Sequence, residues 1–300
     1  MHCRKRTGIP EGLRLRVLCH NQSLPQIAYV IAKERGIAVD KAIAEKQSKS
    51  VMAMYKPARE PMLQRKEIIP DPAISVSYAL LGMAAEAYPG DETTAAMAHL
   101  ISTQQNPDGS FRCLPARPPM ESSKVTATAL SIRVLQVYGA NVDAVIAQGR
   151  EWLRTAPART TEERAMKLLG LAWSKAAAAD IRAAAKMLLN DQRADGGWGQ
   201  LPMIETDAYA TGQAMYALQT AGMVTPHDDA YMRGAGFLLR TQRPDGSWLV
   251  RSRSNPFQPL KESGFPHGRD QWISAAGTSW AAMALGTSLP VSATQISQTY

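Results

Sequence analysis

Cysteine is scarce in this 300-residue sequence: three in all, Cys3, Cys19 and Cys113, odd in number and widely scattered. That excludes a disulfide framework, and nothing demands an oxidising compartment. Cys113 has no Cys or His near it in the chain, so no zinc centre is expected, and no other cofactor is implied. No glycine-rich phosphate loop, no Gly-x-Ser-x-Gly elbow and no Cys-Gly-Glu-Gln thioester element is present. Aromatic side chains are also few, with four Phe, nine Tyr and six Trp. A membrane span is missing too, because the longest uncharged stretch, Gln271–Tyr300, is studded with Ser, Thr, Gln and Pro290. The charged start of the chain is not followed by an apolar run, since Arg14 and Arg16 interrupt it, so no signal peptide is expected and the cytoplasm is the default.

Charge is present, but in one place. The chain carries a net +8, and residues 1–66 hold fourteen Lys or Arg against five acids. Such a segment suits an anionic surface, including peripheral contact with a membrane. Spaced Lys residues on a solvated helix face account for it equally well. Nucleic acid is not an expected partner, because Tyr29 and Tyr55 are the only aromatics interleaved there. Nothing in the pattern sets an oligomeric state.

The informative feature is an internal repeat. Three segments end a helix with a Gln, turn, and present an aromatic: Gln105 to Asp108-Gly109-Ser110-Phe111, Gln192 to Asp195-Gly196-Gly197-Trp198, and Gln242 to Asp245-Gly246-Ser247-Trp248. Asp bonding back to the backbone and Gly at positive φ stop the helix and reverse the chain. A fourth copy is degenerate: Ala156 stands where the Gln should be, and Thr160-Thr161-Glu162-Glu163 caps the next helix. After each turn comes a helix of small and apolar residues, with Ala127-Thr128, Ala210-Thr211 and Gly277-Thr278 in register. Such helices are buried on several sides. The alternating segments 41–54, 141–155, 178–191 and 227–241 carry charge on one face. The pattern predicts about eleven helices, all α, with inner helices near 23–35, 73–87, 122–138, 161–174, 206–222 and 272–287. A closed α/α toroid is expected rather than an open solenoid, which would leave the apolar layer wet. The aromatics Phe111, Trp198 and Trp248 should lie outside the ring, near outer-helix ends. One toroid domain should cover 23–290, with a basic tail at 1–22 and a C-terminal tail at 291–300.

The Gln…Asp-Gly-Ser-Trp element resembles the QW motif of squalene, hopene and oxidosqualene cyclases, which share an α/α barrel with protein prenyltransferase β subunits. Glu205-Thr206-Asp207-Ala208-Tyr209 and Gly264-Phe265-Pro266-His267-Gly268-Arg269-Asp270-Gln271-Trp272 resemble a bacterial group of squalene-cyclase C-terminal-like repeat proteins. Members of that group often carry a Cys-x-x-Cys-His haem-attachment motif. Here Arg16-Val17-Leu18-Cys19-His20 keeps only the second Cys and the His, so residues 1–22 read as the remnant of such a segment.

The resemblance implies a class II terpenoid cyclase or isomerase acting on an isoprenoid, begun by protonation from the middle acid of an Asp-x-Asp-Asp motif. Aligned on that motif, Asp207 takes the donor position, Glu205 the first acid, and the last Asp is absent. A carboxylic acid protonates an alkene only in a dry site with its conjugate base hydrogen-bonded. Tyr209 or Lys124 would tune it. Asp207 equally suits a helix N-cap. Carbocations are ordinarily walled by aromatic faces, and this chain has few. The expected ligand contacts are Tyr209, Tyr216, His267, Asp270, Trp272 and Trp280, four of them on inner helices. His267 and Asp270, with Arg269, belong to a link containing Pro256, Pro259 and Pro266 that should cross one mouth of the ring, either to meet a ligand or only to hold the loop. The alternative from another class is a toroid without catalysis, serving as a binding or protein-interaction scaffold.

Overall fold

The computed structural model describes residues 20–66, 68–114, 117–255 and 259–292. Cys3, Cys19 and the Arg16–Cys19 part of the presumed haem remnant therefore lie outside the described residues, as does the tail from 293. Among the described residues there are twelve α-helices: α1 His20–Glu34, α2 Lys41–Tyr55, α3 Arg59–Leu63, α4 Pro72–Ala85, α5 Glu92–Ser102, α6 Lys124–Tyr138, α7 Asp143–Thr155, α8 Thr161–Trp173, α9 Ala178–Asn190, α10 Ala208–Thr220, α11 Asp229–Thr241 and α12 Gln271–Thr287. Isolated bridges such as Gln105 to Phe111 are the only β pairing there.

The helices begin where capping chemistry is present. Asp91 and Thr94 form a reciprocal capping box on α5, Thr160 and Glu163 form another on α8, and Ser123 accepts the Thr126 N–H at the start of α6. Packing then sorts them. Helices α1, α4, α6, α8, α10 and α12 each touch two others of the set, and α1 meets α12, so the inner layer closes on itself. The outer helices pack on its back. The fold is an α/α toroid, and the ring rather than the solenoid is the arrangement present. Its inner helices are apolar nearly all round because both sides of each are covered, as at Ala127, Ala129, Leu130 and Ile132 in α6. Close approach needs small residues: a side chain at Gly212 would collide with the Trp280–Ala281 backbone, which is how α10 and α12 nest.

The repeat has a uniform geometry. Asp108 and Asp245 each accept the backbone N–H and the hydroxyl of the following Ser, at 2.9 and 2.6 Å and at 3.0 and 2.6 Å, and Asp195 accepts the Gly197 N–H at 3.1 Å. Gly196 supplies the left-handed turn at φ 96°. The Gln105 amide donates to Gly109 O and to Val145 O on the next outer helix, and Gln192 does the same with Gly196 O and Ala230 O. The indoles of Trp198 and Trp248 donate to Leu188 O and Leu238 O at 2.8 Å, each adding a second bond to a carbonyl near its outer helix's C-terminus. The backbone N–H groups of Phe111, Trp198 and Trp248 donate to the hydroxyls of Thr128, Thr211 and Thr278, the in-register inner-helix threonines. One motif therefore ties an outer helix, its turn and the next inner helix. The three aromatics sit beside outer-helix ends but are enclosed, with Trp198 and Phe111 at 0% exposure, because they fill the seam between the two layers. In the degenerate copy, Lys167 of α8 donates to Ala156 O at 2.7 Å, a tie to the next inner helix rather than the link to the next outer helix that the Gln side chains make.

Candidate functional site

The first turns of α6, α8 and α10 adjoin at one end of the ring, and a polar cluster occupies the space between them. Its centre is Glu162, the second residue of α8, only 2% exposed. Its Oε2 accepts from the Tyr209 hydroxyl at 2.7 Å and from the Gln213 amide at 2.6 Å, and Oε1 accepts from the Thr126 hydroxyl at 3.1 Å. Burial pushes its carboxyl up to about 7, against the pull of those three donors. Glu162 acts through the field on Tyr78 of α4 as well, and burial with that charge holds both tyrosines well above the usual range.

Asp207 lies next to this cluster, as the N-cap of α10. Oδ1 accepts the Ala210 N–H at 2.9 Å and Oδ2 accepts the Gln200 amide at 2.9 Å, while Gln200 in turn accepts from Arg253 Nε at 2.7 Å. Burial raises the Asp207 carboxyl to about 6 although these donors and Arg253 lower it. Desolvation lowers Arg253, which feels Glu162, Tyr209 and Asp207 together. The 249–270 link thus delivers a guanidinium to the end of the ring where both carboxyls lie.

The candidates named from the sequence separate into two groups. Tyr209 is fully buried on Glu162, and Trp280 of α12, also buried, carries an indole N–H that finds no hydrogen-bond partner. Tyr216 pairs with Trp280 at 5.6 Å between centroids, one turn or more further down the ring. Glu205 is exposed and bonds to none of these groups; Lys124 is exposed too and makes no bond to Asp207. The link residues hold the loop. Asp270 accepts from Arg251 and from the Ser252 N–H, both at 2.9 Å, Trp272 donates to Lys261 O at 2.8 Å, and His267 Nε2 is 2.8 Å from the Ser247 hydroxyl of the turn motif. Glu162, Gln213, Thr126, Gln200 and Arg253 were not among the sequence candidates. For Glu162 a signal existed: Glu163, Arg164 and Lys167 share one face of α8, whereas Glu162 stacks with Met166 and Leu169 on the opposite, buried face.

A third carboxyl is shifted elsewhere. Asp71, at the start of α4, is raised to about 6 by burial and neighbours Cys113, whose thiol burial pushes up to about 12. Among the described residues no group of three or more His, Cys, Asp or Glu is arranged to hold a metal, and no helix is long and apolar enough to cross a membrane.

No family model matches the chain. It is 30% identical over 182 residues to drimenyl diphosphate synthase from Streptantibioticus cattleyicolor, covering 55% of this chain and 34% of that protein. The chain thus spans about a third of the length of the curated relative it matches. Among solved structures, it superposes on type II terpene cyclase MstE from Scytonema with TM-score 0.53 at 17% identity, over 90% of this chain and 88% of that one. The ent-copalyl diphosphate synthase from Streptomyces platensis gives 0.59 at 16% identity over 90% of this chain and 50% of that one, and a protein from Actinoplanes gives 0.61 at 17% over 90% of each. The chain shares the α/α-toroid fold of these solved terpene cyclases.

Proposed function

We propose that this toroid binds an isoprenoid within its ring and isomerises or cyclises it by class II chemistry of the squalene-cyclase type, with Asp207 as the acid. The observation that carries this reading is a half-buried carboxyl at an inner-helix start, raised by desolvation to about 6, with Gln200 and Arg253 lined up to receive the charge left when the proton departs. The relatives' names point the same way. One is a drimenyl diphosphate synthase, and MstE was solved with geranylgeranyl dihydroxybenzoate as substrate. In the ring, Tyr209, Trp280 and Tyr216 would line the hydrocarbon, while His267, Asp270 and Trp272 would shape the link across the mouth.

Extraction of the purified protein with organic solvent, followed by mass spectrometry, tests the ligand. A prenyl-chain lipid released in stoichiometric amount is the expected result, and an extract free of any isoprenoid together with no binding of farnesol would overturn it. Asp207→Asn tests the acid, because Asn caps a helix about as well as Asp: turnover of a polyprenyl substrate should stop while the melting temperature holds. The scaffold reading has one observation in its favour, that Asp207 Oδ1 is already engaged in capping α10. An Asp207→Asn protein unchanged in ligand conversion as well as in melting would leave that reading standing.

A further inference from the structure

Glu162 is a carboxyl with three hydrogen-bond donors and no counter-ion. Among the described residues it forms no ion pair, although buried carboxylates are ordinarily matched by a cation. Arg253, the cation that acts on it most, is held on Gln200 instead. The side chain that donates to Glu162 also presents an acceptor there: Oε1 of Gln213, on a residue at 0% exposure, receives no hydrogen bond. Two tyrosines complete the surroundings, Tyr209 in contact and Tyr78 near enough to feel the charge. A carboxylate, an unanswered carbonyl oxygen and aromatic rings form an electronegative lining, with Arg253 held off on Gln200 to one side and the unpartnered indole N–H of Trp280 on α12 beside Tyr209.

We propose that Glu162 and Gln213 form a subsite inside the ring for a positively charged centre carried on a hydrocarbon, with Glu162 as the counter-charge and proton acceptor. Resting on the cyclase reading above, the chemistry balances as follows. The Asp207 O–H bond breaks and its proton forms a C–H bond with one alkene carbon, using the alkene π pair and leaving the other carbon cationic. That charge, or its successor after ring closure by a further π pair, rests against Glu162. Glu162 then takes a proton from a carbon adjacent to the cation, and the C–H electron pair becomes the new double bond. The substrate is isomerised and the proton given by Asp207 ends on Glu162; exchange with water then resets the pair, and because Glu162 holds its proton more tightly than Asp207, the productive form with Asp207 protonated and Glu162 ionised is its minority form. The carboxylate compensates for the shortage of aromatic faces, since a fixed negative charge in a dry site attracts a cation more strongly than a ring face does.

The test uses farnesyl trimethylammonium, whose charge does not titrate, against farnesol as the neutral match, with binding measured by calorimetry on the whole chain from pH 5 to pH 8. The groups facing Glu162 are Thr126 on α6, Tyr209 and Gln213 on α10, Tyr78 on α4 and Arg253 on the link; of the nearby acids, Asp207 titrates in the same window. At pH 8 the ammonium should bind about tenfold or more tighter than farnesol, and the preference should vanish toward pH 5 as Glu162 takes up its proton. Glu162→Gln should abolish the preference and keep farnesol binding, while in Asp207→Asn a preference should remain at pH 8 and still fall toward pH 5 as Glu162 takes up its proton. Equal affinities in the wild type at pH 8, or a preference that survives Glu162→Gln, would overturn the subsite and leave the isoprenoid reading intact. Failure of the wild type to bind farnesol at all would overturn both. Should Glu162→Gln not fold, the wild-type pH series decides on its own, with Asp207→Asn separating the two acids.

Discussion

Replacing Glu162 with Gln tests the physical account of this site without any ligand. The folded protein holds the Glu162 proton up to about pH 7, whereas the ordinary value is 4.5. At about 1.4 kcal/mol for each tenfold change in proton affinity, the gap amounts to about 3 kcal/mol. Because the folded value is raised, this group's contribution to stability is fully present below pH 4.5 and is lost as pH rises through 7. Gln has the same shape, remains neutral, accepts from Tyr209 through its oxygen and donates to Thr126 through its amide. Urea unfolding at intervals from pH 4 to pH 9, with slopes checked for constancy, should therefore give two stability curves that diverge. The wild type should lose about 3 kcal/mol relative to the variant between pH 4.5 and pH 8, so that Glu162→Gln is the more stable protein in alkali. Asp207 and Asp71, both raised to about 6, tilt the two curves equally and cancel in the difference. Parallel curves would refute the reasoning, for they would mean that Glu162 titrates as an exposed carboxyl and that the cluster is open to water.

Trp198→Ala should cost about 3–5 kcal/mol by leaving a cavity in the seam between layers, seen as a fall in melting temperature with farnesol binding per folded molecule unchanged; an unaltered melting point would make the motif dispensable. Gly212→Ala should destabilise by about 1–3 kcal/mol through overpacking against Ala281, and a protein as stable as the parent would show that α10 and α12 can part. Cys113, with its thiol raised to about 12, should resist iodoacetamide at pH 8 in the folded protein and react quickly in urea, followed by peptide mass spectrometry; fast alkylation of the native protein would contradict the burial. Thr211→Val keeps the side-chain shape but removes the hydroxyl that accepts the Trp198 N–H, and should cost about 1–3 kcal/mol; a neutral effect in thermal unfolding would sink that role.

The architecture was legible because it is written as a repeat: Gln, Asp-Gly and an aromatic mark each turn, and the threonines in register prove to be the groups that bind those aromatics. Helix α8 shows where that legibility ends. Thr160-Thr161-Glu162-Glu163 reads as a cap, and Glu163 does cap, but a shift of one residue along a helix turns a side chain by about 100 degrees, which sends Glu162 to the opposite face and into the ring. Arg253 was out of reach for another reason. Its role depends on where a long link crosses the mouth, and that is set by anchors such as Asp270 to Ser252 and Trp272 to Lys261, which follow no periodicity.

Ring closure also dictates an order of assembly. The inner layer is sealed by α1 against α12, and the same seam is tied by Arg35 donating to Leu289 O, 254 positions away, and by the Ser292 N–H donating to Glu34 O. Every other inner contact joins neighbours in the repeat, so during synthesis the helices can add one pair at a time. The first helix cannot: one of its apolar flanks has no partner until the last inner helix leaves the ribosome. Until then that flank of α1 stays bare, and the α12 of a second copy fits it as well as its own does. Folding of this protein is thus a contest between closing on its own α12 and closing on a neighbour's; the entropic cost of closing the loop grows only slowly with its length, so dilution decides.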